Sequence, residues 1–242
     1  MEREGYPKCH SRLLTYGFMA LDALSPTVIT GWLECEHSLT LRMKRSSAPQ
    51  AFGAFADLVR AKGLAHEEAV VARLEARGLK VHRVADKGDL KFEQWATVHE
   101  GLLESTDADV IYQMPMVFEG IKGVADFLIR VEAEPGFSSW EPVDAKLARK
   151  EAKPGHLLQL CFYADAVRNL TGAPPKQIHL ELGSGQRESY RFEEFGPYWR
   201  RMKLELGRVA EQGGPPRETQ PEPCRFCDFC DFQKVCEEQW RA

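Results

Sequence analysis

The 242-residue chain has no stretch near the roughly 18 uninterrupted apolar residues that a membrane-spanning helix needs. Its first ten residues, MEREGYPKCH, mix acids and bases and hold no apolar run ahead of a small-residue cleavage site. No secretory signal is therefore expected, and the cytoplasm is the expected address. Positive charge is not in surplus: 32 Lys and Arg stand against 36 Asp and Glu, a net charge of −4. That excludes a protein held to nucleic acid by an overall basic surface. Local basic clusters do occur, at Arg42, Lys44 and Arg45, at Lys146, Arg149, Lys150 and Lys153, and at Arg200, Arg201 and Lys203. Each taken alone reads as a solvated helix face. Cysteine is scarce and uneven, seven residues in all, too few for a disulfide scaffold. Internal repeats and long low-complexity tracts are missing too. What is there, 43% hydrophobic and 28% charged residues, is the balance of a globular chain and excludes wholesale disorder.

Ser25-Pro26 predicts a helix start, Ser as cap and Pro at the first helical position, for an amphipathic segment running to about Arg45. A second helix is expected over Ala65 to Ala76, stopping at Arg77-Gly78. Leu79 to Ala85 alternates like a strand, and Phe92 to Leu103 reads as helical. The middle is β-rich: Asp109 to Phe118 and Gly123 to Val131, then a Pro135-Gly136 turn and the segment WEPVDAKLA. Gly155 to Leu170 is a helix ending at Thr171-Gly172, followed by strands QIHLEL and SYRF and a helix over about Pro197 to Ala210. GGPPRETQPEP, Gly213 to Pro223, is the one evident linker. The expected organisation is an extension over 1–24, a core over 25–212 and a linker with a cysteine cluster over 213–242. Helices flanking a central mixed sheet make this an α/β fold.

The most informative residues lie in two neighbouring strands. Asp144 and Lys146 are two apart and point the same way, while Val143, Ala145 and Leu147 point into a core. Asp126 interrupts the apolar run VADFLI, within hairpin reach, and a carboxylate there is costly unless paired or metal-bound. Two converging carboxylates beside a lysine suit metal-assisted phosphodiester hydrolysis: the acids hold Mg²⁺ or Mn²⁺, and the lysine offsets charge in the transition state. An ordinary ion pair between Lys146 and either aspartate fits the spacing equally well. His66-Glu67 opens the preceding helix and can bring a nitrogen ligand; Gln159 and Tyr163, i and i+4 on one helix, can look into the same place.

Four cysteines crowd into thirteen residues near the C-terminal end. Cys227, Cys230 and Cys236 supply three thiolates for Zn²⁺ or an iron–sulfur cluster. The fourth is Cys224 next door, or Cys35, which would staple the N-terminal helix to the C-terminal segment. Cys9 and Cys161 carry no such signal, and Cys161 is expected to be a buried thiol.

Taken in order, Cys35, His66, Gly123-Val-Ala-Asp126, Asp144-Ala-Lys146, Gln159-Leu-Cys-Phe-Tyr163 and Cys227/Cys230/Cys236 resemble the pattern of RecB-family nucleases of the PD-(D/E)XK superfamily. The resemblance is to the branch with a four-cysteine iron–sulfur cluster, which includes CRISPR-associated adaptation exonucleases and AddB-type and helicase-associated nucleases. It covers about Ser25 to Cys236. It implies a restriction-endonuclease-like core and a metal-dependent DNA exonuclease acting on single-stranded or frayed ends. His66, Asp126 and Asp144 would be metal ligands, helped by the Ala145 carbonyl. Lys146 would be the catalytic lysine, with Gln159 and Tyr163 steadying the site and touching DNA. It also implies a structural [4Fe–4S] cluster on Cys35, Cys227, Cys230 and Cys236, with Cys224 as the alternative fourth ligand, and a helicase or another domain of a longer protein as partner.

Overall fold

The computed structural model describes residues 24–44, 54–134, 137–148, 152–212 and 218–241. The Pro135-Gly136 turn, Arg45, Arg149, Lys150 and Cys9 lie outside them. Ser25 caps α1 (Pro26–Glu34), its hydroxyl accepting the Val28 N–H at 3.2 Å. The expected single helix to Arg45 is two: Cys35 takes extended backbone, φ −154 and ψ 103, and α2 (Glu36–Lys44) begins anew. α3 (Ala54–Ala76) starts eleven residues ahead of the expectation, carrying Gly63 in its interior against local propensity. Then come β1 (Val81–Arg83), α4 (Phe92–His99), α5 (Leu102–Ser105), β2 (Val110–Phe118), β3 (Ile121–Glu134) and β4 (Phe137–Lys146). α6 (Pro154–Thr171) ends where Gly172 adopts a left-handed φ of 73, the usual glycine exit. β5 (Gln177–Leu182), β6 (Arg187–Arg191), α7 (Phe192–Glu211) and α8 (Gln233–Arg241) complete the order. α7 begins ahead of Pro197, which sits inside it, so the proline does not mark its start.

The six strands form one mixed sheet in the order β1-β2-β3-β4-β5-β6. β1 runs parallel to β2 and β4 parallel to β5; the other neighbours are antiparallel. The parallel β4–β5 pair needs a crossover, and α6 provides it. Both faces of the sheet are covered. On one, Ile111, Met114, Leu128, Leu158, Phe162 and Trp199 belong to the main core beneath α6 and α7. On the other, Val70, Val71 and Leu74 of α3 pack on Val110, Phe127 and Val143. Leu147, expected in the core, is 39% exposed, because β4 ends at Lys146.

Side-chain alternation changes phase in mid-sheet. On β2 the main core takes Ile111 but then Met114 and Met116, and on β3 it takes Leu128 but then Ala125 and Ile121. The reversals fall at Gln113 and Asp126. Gln113 has a left-handed φ of 62, unusual for a residue other than glycine.

The C-terminal segment returns to α2. Leu41, Phe232 and Cys236 form a third small apolar cluster, Arg42 pairs with Asp231 and lies over the Phe232 ring, and Thr219 bonds Thr40 at 2.8 Å. Among the described residues no helix is long and apolar enough to cross a membrane.

Candidate active site

The regular β3–β4 register begins at the Phe127–Val143 pair. One residue further, the Asp126 carboxylate replaces a ladder partner, its Oδ2 accepting the Ala145 N–H at 2.8 Å. Across from it, Lys146 donates to Asp144 Oδ1 at 2.8 Å and lies 2.8 Å from Oδ2. The Oδ2 contact is not in hydrogen-bond geometry, so this buried oxygen accepts no hydrogen bond among the described residues. Strand spacing therefore places Asp126, Asp144 and Lys146 together, and the expected ion pair is present as well.

Burial first, and the neighbouring Asp144 charge second, push the Asp126 carboxyl well above the usual carboxylate range, against the pull of Lys146 and the Ala145 N–H. For Lys146 burial works the other way, favouring the neutral amine, but Asp144 and Asp126 prevail and keep it a firm cation with a raised pKa. The result is a cation paired with Asp144 and favoured by the nearby Asp126, with acceptor capacity left over on Asp144.

Glu67 joins this group, a residue the sequence motifs passed over in favour of its neighbour His66. Its Oε2 accepts from Gln113 Nε2 at 2.6 Å and from the Tyr112 hydroxyl at 3.2 Å. Burial raises its pKa, with Asp144 adding to the rise and Lys146 opposing it, so it feels the same charges. Gln113 makes this contact from a left-handed backbone, φ 62. His66 faces β5, its Nε2 3.3 Å from the Glu181 carbonyl oxygen; that strand pairs with β4 through Ala145 and Glu181.

α6 supplies the remaining wall. Tyr163 donates its hydroxyl to the Val124 carbonyl at 2.6 Å, and Gln159 reaches Thr27 of α1 at 3.5 Å. Both side chains thus brace α6 against β3 and α1. Burial, then the Asp126 and Asp144 charges, hold the Tyr163 phenol far above its ordinary pKa. Two close approaches set this packing. A Cβ on Gly123 would come within 2.9 Å of Pro26 and 3.0 Å of the Tyr163 hydroxyl, and one on Gly155 within 2.4 Å of Thr30. His156, one turn ahead of Gln159, also faces the charges of Lys146 and Asp144. It was not singled out from sequence, although its i, i+3 spacing to Gln159 was a usable signal.

The cysteines meet at a second place. Cys35, Cys224, Cys227, Cys230 and Cys236 line one small cavity between the α1–α2 break and the C-terminal segment. Cys224 and Cys227 have their sulfurs 3.8 Å apart, and these thiols are free of disulfides. Burial raises the Cys35, Cys227 and Cys230 thiols, and Cys236 to about 11. Cys161 is fully buried in α6, as expected.

Among the described residues no three His, Cys, Asp or Glu side chains converge on one point as a ready site for a metal ion. Mg²⁺ does not require that many, since one or two carboxylates plus substrate phosphates hold it in many phosphoryl-transfer sites. The buried, unbonded Asp144 Oδ2 beside Asp126 is a hard oxygen donor pair of that kind. An iron–sulfur cluster likewise spreads its thiolates over several irons.

Six strands in this mixed order, with α6 crossing between the parallel pair and acid–lysine groups at the end of β4, form a restriction-endonuclease-like fold. The profile of the PD-(D/E)XK nuclease superfamily matches residues 31–237, and the chain belongs to that superfamily. No curated protein matches it.

Proposed function

We propose that the chain is a metal-dependent deoxyribonuclease that works from single-stranded or frayed ends as an exonuclease of the RecB type. The observation that carries this reading is the group Asp126, Asp144 and Lys146, enclosed at the end of β4 in a chain of nuclease family. Asp126 and Asp144 would hold Mg²⁺ or Mn²⁺, with His66 and the Ala145 carbonyl completing the set. Bound there, the ion would polarise the phosphate and activate the attacking water.

The residues account for the rest. Lys146, held cationic by two carboxylates, presents positive charge where the phosphorane develops negative charge. Glu67, pinned by Gln113 and Tyr112, adds negative charge that favours the Lys146 cation from the α3 side. Tyr163 and Gln159 fix α6 so that its first turn stays against β4. Net charge is negative, so strand binding depends on local basic residues such as Lys153, and a helicase-type partner would supply unwound ends.

The cysteine cavity would carry a structural [4Fe–4S] cluster, on Cys35, Cys227, Cys230 and Cys236 or with Cys224 as the fourth ligand. It would clamp α1 to the C-terminal segment.

The experiment is cleavage of single-stranded DNA labelled separately at each end, with Mn²⁺, Mg²⁺ or EDTA, beside Lys146→Ala. Metal-dependent cutting that the variant loses supports the reading, and the product ladder gives the polarity. A wild type that binds the strand yet never cuts it would replace the nuclease with a DNA-holding module. Iron and sulfide in anaerobically purified protein support the cluster, whereas one zinc per chain refutes it.

A further inference from the structure

We infer that His156 is a substrate-contacting residue of this site, donating its Nε2–H to a non-bridging oxygen of the scissile phosphodiester. The inference rests on the nuclease reading and adds a residue to it.

His156, Gln159 and Tyr163 stand at i, i+3 and i+7 on α6 and share one face of the helix. The other two are committed to the scaffold, Gln159 to Thr27 and Tyr163 to the Val124 carbonyl. His156 is tied at one ring atom only. The backbone N–H of Lys153 donates to its Nδ1 at 3.3 Å. A nitrogen that accepts an N–H carries no proton of its own, so the neutral ring has its proton on Nε2. Among the described residues no acceptor takes that Nε2–H.

The ring is held neutral. Burial, then the charge of Lys146, lower its pKa to about 4, against the opposing pull of Asp144. Both charges act on the ring, and α6, which carries it, packs against β4, where Asp144 and Lys146 lie. A protonated Nε2 has no lone pair for a metal, so His156 is no ligand. A neutral imidazole at pH 7 is also a poor general acid. What it can offer is a directed hydrogen bond to an anion. In a site built from Lys146 and two carboxylates, the anion that belongs there is the phosphodiester. His156 lies in the first turn of α6, at the positive end of the helix dipole, which favours the same occupant.

The test uses the full chain, end-labelled single-stranded DNA and Mg²⁺ or Mn²⁺, comparing wild type with His156→Gln and His156→Met. Glutamine keeps an oxygen that can accept the Lys153 N–H and an N–H that can be donated; methionine keeps neither, and both are uncharged. His156→Met should lower kcat by about 100-fold, the usual loss for one transition-state donor, with KM little changed. His156→Gln should stay within about tenfold of wild type. His156→Ala is the second donor-free variant should the methionine protein not fold. A residue that only caps the helix predicts a lower melting temperature with kcat intact. That result overturns the inference, as does an equal loss of kcat in the glutamine and methionine proteins at unchanged melting temperature. Should the wild type fail to cut with either metal, the nuclease reading fails by itself, and fluorescence anisotropy of the strand decides His156. Binding about tenfold weaker in the methionine than in the glutamine protein keeps the contact; equal affinity in all three overturns it.

Discussion

Asp126 holds the backbone N–H of Ala145 at 2.8 Å, the residue directly between Asp144 and Lys146. The carboxylate that strains the site electrostatically is therefore also the one that fixes the shape of the β4 end. Asp126→Asn keeps an oxygen for the Ala145 N–H but removes a charge that burial and Asp144 make costly. The variant should melt at or above the wild-type temperature while cutting falls by at least about 100-fold. Thermal unfolding and a cleavage time course on the same preparation decide it; a variant that still cuts at a comparable rate shows Asp126 to be structural.

Gln113 tests whether backbone strain serves the site. Its left-handed φ of 62 costs on the order of 1 kcal/mol for a residue with a side chain, and its amide reaches Glu67 at 2.6 Å. Gln113→Gly relieves the strain and loses the contact. The urea midpoint should shift little, because the relieved strain offsets the lost hydrogen bond and the added chain entropy. The cleavage rate should drop by roughly tenfold, about 1.4 kcal/mol of transition-state stabilisation. Unchanged cutting would show that Glu67 needs no such aiming.

His156 makes stability depend on pH. Its pKa is 6.5 in the ordinary state and about 4 in the fold. As pH falls, the unfolded chain takes up this proton first, so the contribution is complete above about pH 6.5 and is lost progressively down to about pH 4. Urea midpoints measured across that window should decline in the wild type and decline less steeply in His156→Gln. Parallel curves for the two proteins would show that the ring is not held neutral.

Gly155 is a point of close approach between α6 and α1. A Cβ there would sit 2.4 Å from the Thr30 methyl, and the Gly155 carbonyl accepts the Thr30 hydroxyl at 3.3 Å. Gly155→Ala should destabilise by about 1–3 kcal/mol through overpacking, and adding Thr30→Ser should recover part of it. Denaturant titration of the single and double variants measures the coupling; simple additivity would mean the two residues do not touch.

Much of the fold was readable locally. Ser25-Pro26 announced α1, Thr171-Gly172 closed α6, and the two-residue spacing of Asp144 and Lys146 put them on one face. The missed features are those that tertiary contacts impose. The break at Cys35 has no glycine or proline to signal it, and the cysteine cavity supplies its context. The early start of α3 overrides the poor propensity at Gly63. Glu67 and Gln113 escaped notice because their partnership joins residues 46 apart through a strained backbone, which no periodicity encodes. His66 was conspicuous as a histidine, whereas Glu67 beside it, which feels the charges of Lys146 and Asp144, had no motif to single it out.

α1 reaches both sites. It is nine residues long, about 14 Å at the usual helical rise. Pro26 and Thr27 at one end abut Gly123 and Gln159, Thr30 abuts Gly155 in the middle, and Cys35 at the far end belongs to the thiol cavity. The thiol cavity and the wall beside the acid–lysine group thus have one short helix as their common neighbour, and a substitution on α1 is felt at whichever of the two it lies nearer.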